Sequence, residues 1–300
     1  MTAAAPVDVS RSSRRDRPYA LLLLAVACVS VGSIFVRLAH APALAVAFNR
    51  IFLASLVIAP FSASSLARAW PALAGRHRAV LLFSGLSLGL HFATWIASLS
   101  YTSVAASVLL VNTAPLFTLG FSWWLLAERA STAVLAAMGL ALAGAGLIAA
   151  GDWQSGQASL VGDALALAGA VTMSLYHVIG RGLREALPLP AYILGVWSTA
   201  AATLAVLAAA ARVPVFGYPM RTFAAFLALA LVPTVLGHGL VNRSLRRIPA
   251  PTVGLFLLGE PIGASALAYV YFHEVPGALT VAGGVLVLAA LVVVVRSEPA

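Results

Sequence analysis

Apolar windows of about 20 residues follow one another along almost the whole 300-residue chain, each long enough to cross a hydrocarbon core of about 30 Å. That recurrence leaves few folds open. In lipid every backbone N–H and C=O must be paired within the protein, which only helices and closed barrels achieve. Barrel strands alternate apolar and polar residues, and these windows do not. The expected fold is therefore an all-α polytopic membrane protein. Composition agrees: 9% of the residues are charged and 62% hydrophobic. Soluble domains carry about 25% charged residues, so too little polar surface exists here to wet a globule.

Ten spans are expected: Arg17–Leu38, Pro42–Phe61, Ala79–Leu99, Ser103–Ala127, Thr132–Ala150, Leu160–Gly180, Pro190–Ala211, Thr222–Asn242, Ala250–Phe272 and Gly277–Val295. Every connector is shorter than 20 residues, which leaves no room between spans for a soluble catalytic domain. The net charge of +9 comes from eighteen arginines and no lysine. Their confinement to connectors is the pattern that orients a membrane protein, not one that binds nucleic acid. With the N-terminus inside, fourteen arginines fall on the cytoplasmic side and three (Arg37, Arg212 and Arg221) on the other, while Arg50 falls within the second span. Both termini are thus expected in the cytoplasm, with residues 1–16 as a basic N-terminal segment. The apolar run after Arg14-Arg15 continues into further spans, so it reads as a retained helix rather than a cleaved signal. The lone Cys28 excludes an intrachain disulfide.

The chain also repeats itself. Pro115 and Glu128 are 13 residues apart, as are Pro261 and Glu274, and the two pairs are offset by 146. "SVGSIFVR" ending at Arg37 matches "SLYHVIGR" ending at Arg181 at an offset of 144. Agreeing offsets suggest a duplicated five-helix unit, residues 17–150 and 160–295. Because five is odd, the second copy would enter the membrane from the opposite side. Inverted repeats of this kind imply a site near the midplane and two related conformations, as alternating access requires.

Three stretches carry a family resemblance. "YTSVAASVLLVNTAPLFTLGFSWWLLAER" and "RSLRRIPAPTVGLFLLGEPIGASALAYVYFHE" resemble the fourth-helix signature of the EamA branch of the drug/metabolite transporter superfamily and its second-half counterpart. The Phe48-Asn49-Arg50 run is similar to that family's arginine-bearing second helix. The resemblance implies a ten-helix exporter of amino acids or related metabolites in a bacterial inner membrane. It is nearest to exporters of aromatic and bulky apolar amino acids, with a nucleotide-sugar or multidrug carrier as the alternative. No cofactor is implied, and no Walker motif is present for ATP coupling.

Candidate site residues follow from chemistry at depth. Glu260 is ten residues into its span, about 15 Å deep. A carboxylate there costs roughly 2.5–3.5 kcal/mol, so it is expected to face a cavity or a partner, as a proton-exchanging group or a structural peg. Pro115 and Pro261 each remove a backbone donor and crowd the carbonyl four residues back, so both helices should kink, the second eased by Gly259. Asn112 stands ready to satisfy a freed carbonyl or a polar substrate group. His91 and Trp95 share a face of the third span, and His238 and Asn242 repeat that spacing on the eighth. With Tyr176, His177 and Trp197 they could form an aromatic wall suited to an aromatic amino acid, or simply pack. The histidines are dispersed and lack carboxylate companions, so no metal site is expected, and no nucleophile–base pair suggests an enzyme. Arg50 could bind a carboxylate, but it reads first as snorkelling to an interface or pairing with helix carbonyls. Glu128 and Glu274 read as structural, Trp123 and Trp124 as an interfacial belt, and Gly139, Ala143, Gly283 and Gly284 as close packing of the fifth and tenth helices. A homodimer could use the same small residues.

Overall fold

The computed structural model describes residues 9–126, 132–155, 157–244, 253, 256–257 and 259–297, at some helix positions the backbone alone. The described chain is helical throughout, joined by short turns. Six helices are long and apolar enough to cross a membrane: Ala20–Leu38, Ala43–Ala72, Gly75–Ser98, Ala158–Ile179, Leu189–Ala210 and Met220–Val241. Three shorter apolar helices cover Val104–Thr118, Leu135–Gly151 and Ala278–Val293. The remaining expected span, Ala250–Phe272, lies partly outside the described residues.

The elements in order are α1 (Val9–Ser30), α2 (Gly32–Leu38), α3 (Ala43–Ala69), α4 (Gly75–Ser98), α5 (Val104–Val111) and α6 (Ala114–Leu126). Then come α7 (Thr132–Ser155), α8 (Gln157–Ala186), α9 (Leu189–Ala210), α10 (Met220–Leu229), α11 (His238–Ser244), α12 (Gly259–Phe272) and α13 (Ala278–Ser297). Several spans are discontinuous. The first breaks at Val31 between α1 and α2, and the fourth at Asn112-Thr113 between α5 and α6. The eighth passes from α10 through a π-helical segment, Ala230–Gly237, into α11.

Each break has a local cause. Pro115 has no N–H to offer Val111, and its ring crowds that carbonyl. The chain gives up the helix at Asn112-Thr113 and restarts, with Pro115 in the first turn of α6. Thr113 Oγ1 donates to Leu110 O at 2.6 Å and Asn112 Nδ2 to Val108 O at 2.9 Å, second bonds to carbonyls that also accept the backbone N–H of Thr113 and Asn112 in the tight last turn. Pro233 sits inside the π segment, and Thr234 Oγ1 donates five residues back to Leu229 O at 2.8 Å. Pro261 lies in the first turn of α12, as Pro115 does in α6.

The helices pack in recurring pairs: α3 with α9, α4 with α8 and α9, and α7 with α13. α1 lies against the π segment and α12, while α8 also holds α5 and α6. A large core joins α2–α5, α8–α10 and α12, and a smaller one α5–α8 and α13. Between α7 and α13 the approach is set by Gly144 and Gly283, where a Cβ on Gly144 would stand 2.6 Å from the Gly283 carbonyl oxygen. This corrects part of the expected small-residue seam. Gly283 and Gly284 face protein, but Gly139 and Ala143 are exposed, and nothing lies within 4 Å of a Cβ on Gly139. Helical rotation puts Gly144 on the inner face instead.

Candidate functional site

The centre of the bundle is organised around Arg50. Small neighbours let α3 approach the π segment and α4 closely, and the arginine is buried, 3% exposed. Its Nε donates to Thr234 Oγ1 at 2.9 Å. The Thr234 hydroxyl has spent its own proton on Leu229 O, so its lone pairs are free to accept. The guanidinium lies 4.6 Å from the Phe92 ring centroid and 5.4 Å from that of Trp95. Among the described residues its Nη1 has no hydrogen-bond partner. Arg50 therefore does not snorkel. Two aromatic faces, worth about 2 kcal/mol or more each when desolvated, and one hydroxyl hold the cation inside instead.

α4 supplies the aromatic wall. His91 and Trp95 stack with centroids 6.0 Å apart and rings 9° from parallel, and His91 meets Phe92 edge-on at 4.8 Å. His91 Nδ1 lies 2.9 Å from Gly169 O on α8. A carbonyl only accepts, so Nδ1 carries the proton and Nε2 keeps its lone pair. Gly169 is needed there, because a Cβ would stand 3.2 Å from Trp95 Cβ. Farther along α8, Tyr176 and His177 touch with centroids 5.2 Å apart. His177 and His238 both lie within electrostatic reach of His91, and His238 is within reach of Arg50.

Glu260 faces this cluster from α12. Its carboxyl is hydrogen-bonded by the Asn112 side chain and lies within electrostatic reach of Arg50. Asn112 Nδ2 also donates to Val108 O at 2.9 Å, so its side chain is shared between its own helix and Glu260. Ser30 Oγ contacts the Glu260 backbone carbonyl at 3.4 Å. The carboxyl and the guanidinium do not close on each other. Among the described residues the ion pair formed is Arg37–Glu274, elsewhere in the bundle.

Several of the expected site residues lie near one another: His91 and Trp95 are buried around Arg50, and the half-buried Asn112, His177, His238 and Glu260 lie within hydrogen-bond or electrostatic reach of that cluster, with Tyr176 beside His177. Trp197 packs against the large core, and among the described residues no ring pair joins it to the cluster. The Asn242 backbone is helical, but its side chain, like those of Trp123 and Trp124, lies outside the described residues, as does Glu128 altogether. Phe92, Thr234 and Gly169 were not singled out from sequence. Pro233, in mid-span, was the available signal for Thr234. A separate lateral groove of about 330 Å³ opens between α3 and α9, lined by Phe48, Phe52, Ser55, Leu194 and Ser198.

At one end of the bundle, Glu274 is more than a structural terminus. Its carboxylate pairs with Arg37 and accepts from Val104 N at 3.0 Å. Arg37 also donates to Thr102 O at 2.7 Å and Leu99 O at 3.2 Å, with its guanidinium 5.6 Å from the Phe272 ring centroid. One arginine and one glutamate thereby tie α2, the α4–α5 turn and the end of α12 together.

The sequence model of the EamA-like transporter family matches the chain twice, over residues 17–150 and 160–296. An uncharacterized transporter of Archaeoglobus fulgidus is 26% identical over 283 residues, covering 92% of this chain and 96% of its own. A solved crystal structure superposes with a TM-score of 0.61 at 20% identity, over 93% of this chain and 96% of that one, a likeness of fold.

Proposed function

The chain belongs to the EamA-like transporter family, a multi-pass membrane protein, and from that premise we propose that it exports amino acids, aromatic and bulky apolar ones above all. The observation that carries this reading is the pocket itself. A buried cation, a half-buried carboxyl and a wall of rings meet at one place. An aromatic amino acid offers a carboxylate, an ammonium group and a ring. Stacking and desolvation supply the affinity, and the two charges orient the molecule.

Transport by alternating access between two inverted five-helix halves fits the helix pairing. Number the spans one to ten and exchange each with the span five places on. The pairs α3–α9 and α7–α13 map onto themselves, and α4–α8 maps onto α1 with the π segment. The contact of α8 with α5 and α6 maps onto α1–α12, and α4–α9 onto α3 with the π segment. α3–α4 and α7–α8 have no such counterpart among the described residues, but the correspondence of the other pairs is what a pseudo-twofold axis in the membrane plane would produce, and the double family match supports the reading. The pocket draws Arg50, His91 and Asn112 from one half and His177, His238 and Glu260 from the other, so rocking the halves would change its exposure. The Arg37–Glu274 tie then closes one end, the periplasmic one if both termini are cytoplasmic, in a bacterial inner membrane.

Purified protein in liposomes, screened by counterflow against the twenty amino acids and a cationic drug, tests the reading. Exchange of tryptophan, phenylalanine or leucine is expected. Exchange of the drug alone, or of no amino acid, overturns it.

A further inference from the structure

Nε of the Arg50 guanidinium is committed to Thr234, and the plane is fixed against Phe92 and Trp95. Nη1 is buried and has no hydrogen-bond partner among the described residues. A charged donor left dry and unpaired costs several kcal/mol, and native interiors seldom retain one without a use. The acid in a position to neutralise it, Glu260, is instead engaged by Asn112 and forms no ion pair with Arg50. Nη1 borders the break between α1 and α2, where a Cβ added to Gly32 would make ordinary contact with it at 3.9 Å and with Pro233 Cβ at 3.7 Å. The next residue, Ser33, is buried with a hydroxyl that likewise lacks a partner.

We propose that Arg50 Nη1 is the docking point for the carboxylate of the transported molecule, making Arg50 the residue that selects carboxylates over their neutral or cationic analogues. The assignment rests on the pocket being the substrate site of a transporter, but it does not require the substrate to be an amino acid. A planar guanidinium with one N–H satisfied presents its remaining edge to an oxygen anion, and Arg is suited to this because its fork matches a carboxylate. The rings beside it exclude water, so the contact discriminates strongly: a group that cannot accept leaves the donor unpaired again. The Thr234 hydroxyl, aimed by the π segment, positions the guanidinium and does not itself touch the ligand.

The test is competition in reconstituted liposomes, first with the unaltered protein. Phenylalanine, phenylalaninamide, phenethylamine and phenylacetate compete for counterflow of whichever labelled substrate the screen identifies. Phenylalanine and phenylacetate should compete, with the amide and the amine weaker by about 30–100-fold. In Arg50→Gln that gap should shrink to within about threefold while the amide's potency is kept. Arg50→Lys, which retains the charge but loses the fork, should fall between. A purely structural role for Arg50 would weaken acid and amide equally. Equal competition by acid and amide in the unaltered protein overturns the assignment even if both variants fail to fold. Competition by phenylacetate with no exchange of any amino acid would sink the amino-acid reading and leave Arg50 as the carboxylate site. Protection by chloride alone, with no carboxylate competing, would overturn the assignment.

Discussion

Replacing Glu274 by glutamine removes one charge from the end of the bundle while keeping an oxygen for Val104 N. Arg37 keeps its bonds to Leu99 O and Thr102 O, so the variant isolates the ionic part of the tie. The two side chains are 22% and 24% exposed, between the exposed and buried classes of ion pair. Exposed pairs contribute about 0.2–1 kcal/mol, and truncating a buried one costs about 3–5 kcal/mol. An intermediate value of about 1–2 kcal/mol is expected, a shift of about 5–30-fold in the opening equilibrium of that end. Nitroxides at Tyr101→Cys and Val275→Cys report the gap, both sites being exposed and one on each side of the tie. Cys28, the one native cysteine, is replaced by alanine. Pulsed electron–electron distance measurements should show a longer component growing in Glu274→Gln. Arg37→Met and the double variant complete the cycle, with the double no more open than the worse single. Unchanged distributions, or a coupling below about 0.3 kcal/mol, would refute the idea that this pair holds the end closed.

Three further outcomes are expected. Gly144→Ala drives a methyl toward the Gly283 carbonyl and should cost about 1–3 kcal/mol, whereas Gly146→Ala, with nothing within 4 Å, should be neutral or slightly stabilising. Equal melting shifts in detergent would contradict that packing. Trp95→Ala removes a ring from His91 and Arg50, and should lower exchange of tryptophan and phenylalanine about 10-fold relative to leucine. A uniform loss would reduce Trp95 to a packing residue. If Glu260 exchanges a proton during transport, Glu260→Gln should flatten the pH profile of counterflow; full activity with the original profile rules out coupling through this acid.

Much of this site was legible in sequence because its parts are expensive in lipid. Glu260, Asn112, His91 and His238 stand out against apolar surroundings, and residues that costly at depth are expected to meet partners. The break before Pro115 was legible because proline's effect is covalent and local, whereas the turn before Pro261 lies partly outside the described residues. Arg50 was visible but misjudged. Snorkelling and burial begin from the same residue at the same depth, and the choice depends on whether rings and a hydroxyl wait inside. Phe92 and Thr234 gave no sign, since an aromatic residue and a threonine are ordinary occupants of an apolar helix. Trp197 packs on the large core that also holds Phe92 and Trp95, and which way its ring faces was not encoded in its sequence neighbours.

Hydropathy is additive over a window, so the sequence alone determined that this chain crosses a membrane repeatedly as helices, and its offset motifs suggested two related halves. The rotation of each helix about its axis is different in kind. It is decided by where neighbouring backbones can approach, as at Gly169 against Trp95 and Gly144 against Gly283. A rotation of 100° per residue separates a pocket from a lipid face. Only the tertiary structure could therefore bring Arg50, 184 residues away in the chain, to Thr234 and set its guanidinium against Phe92 and Trp95.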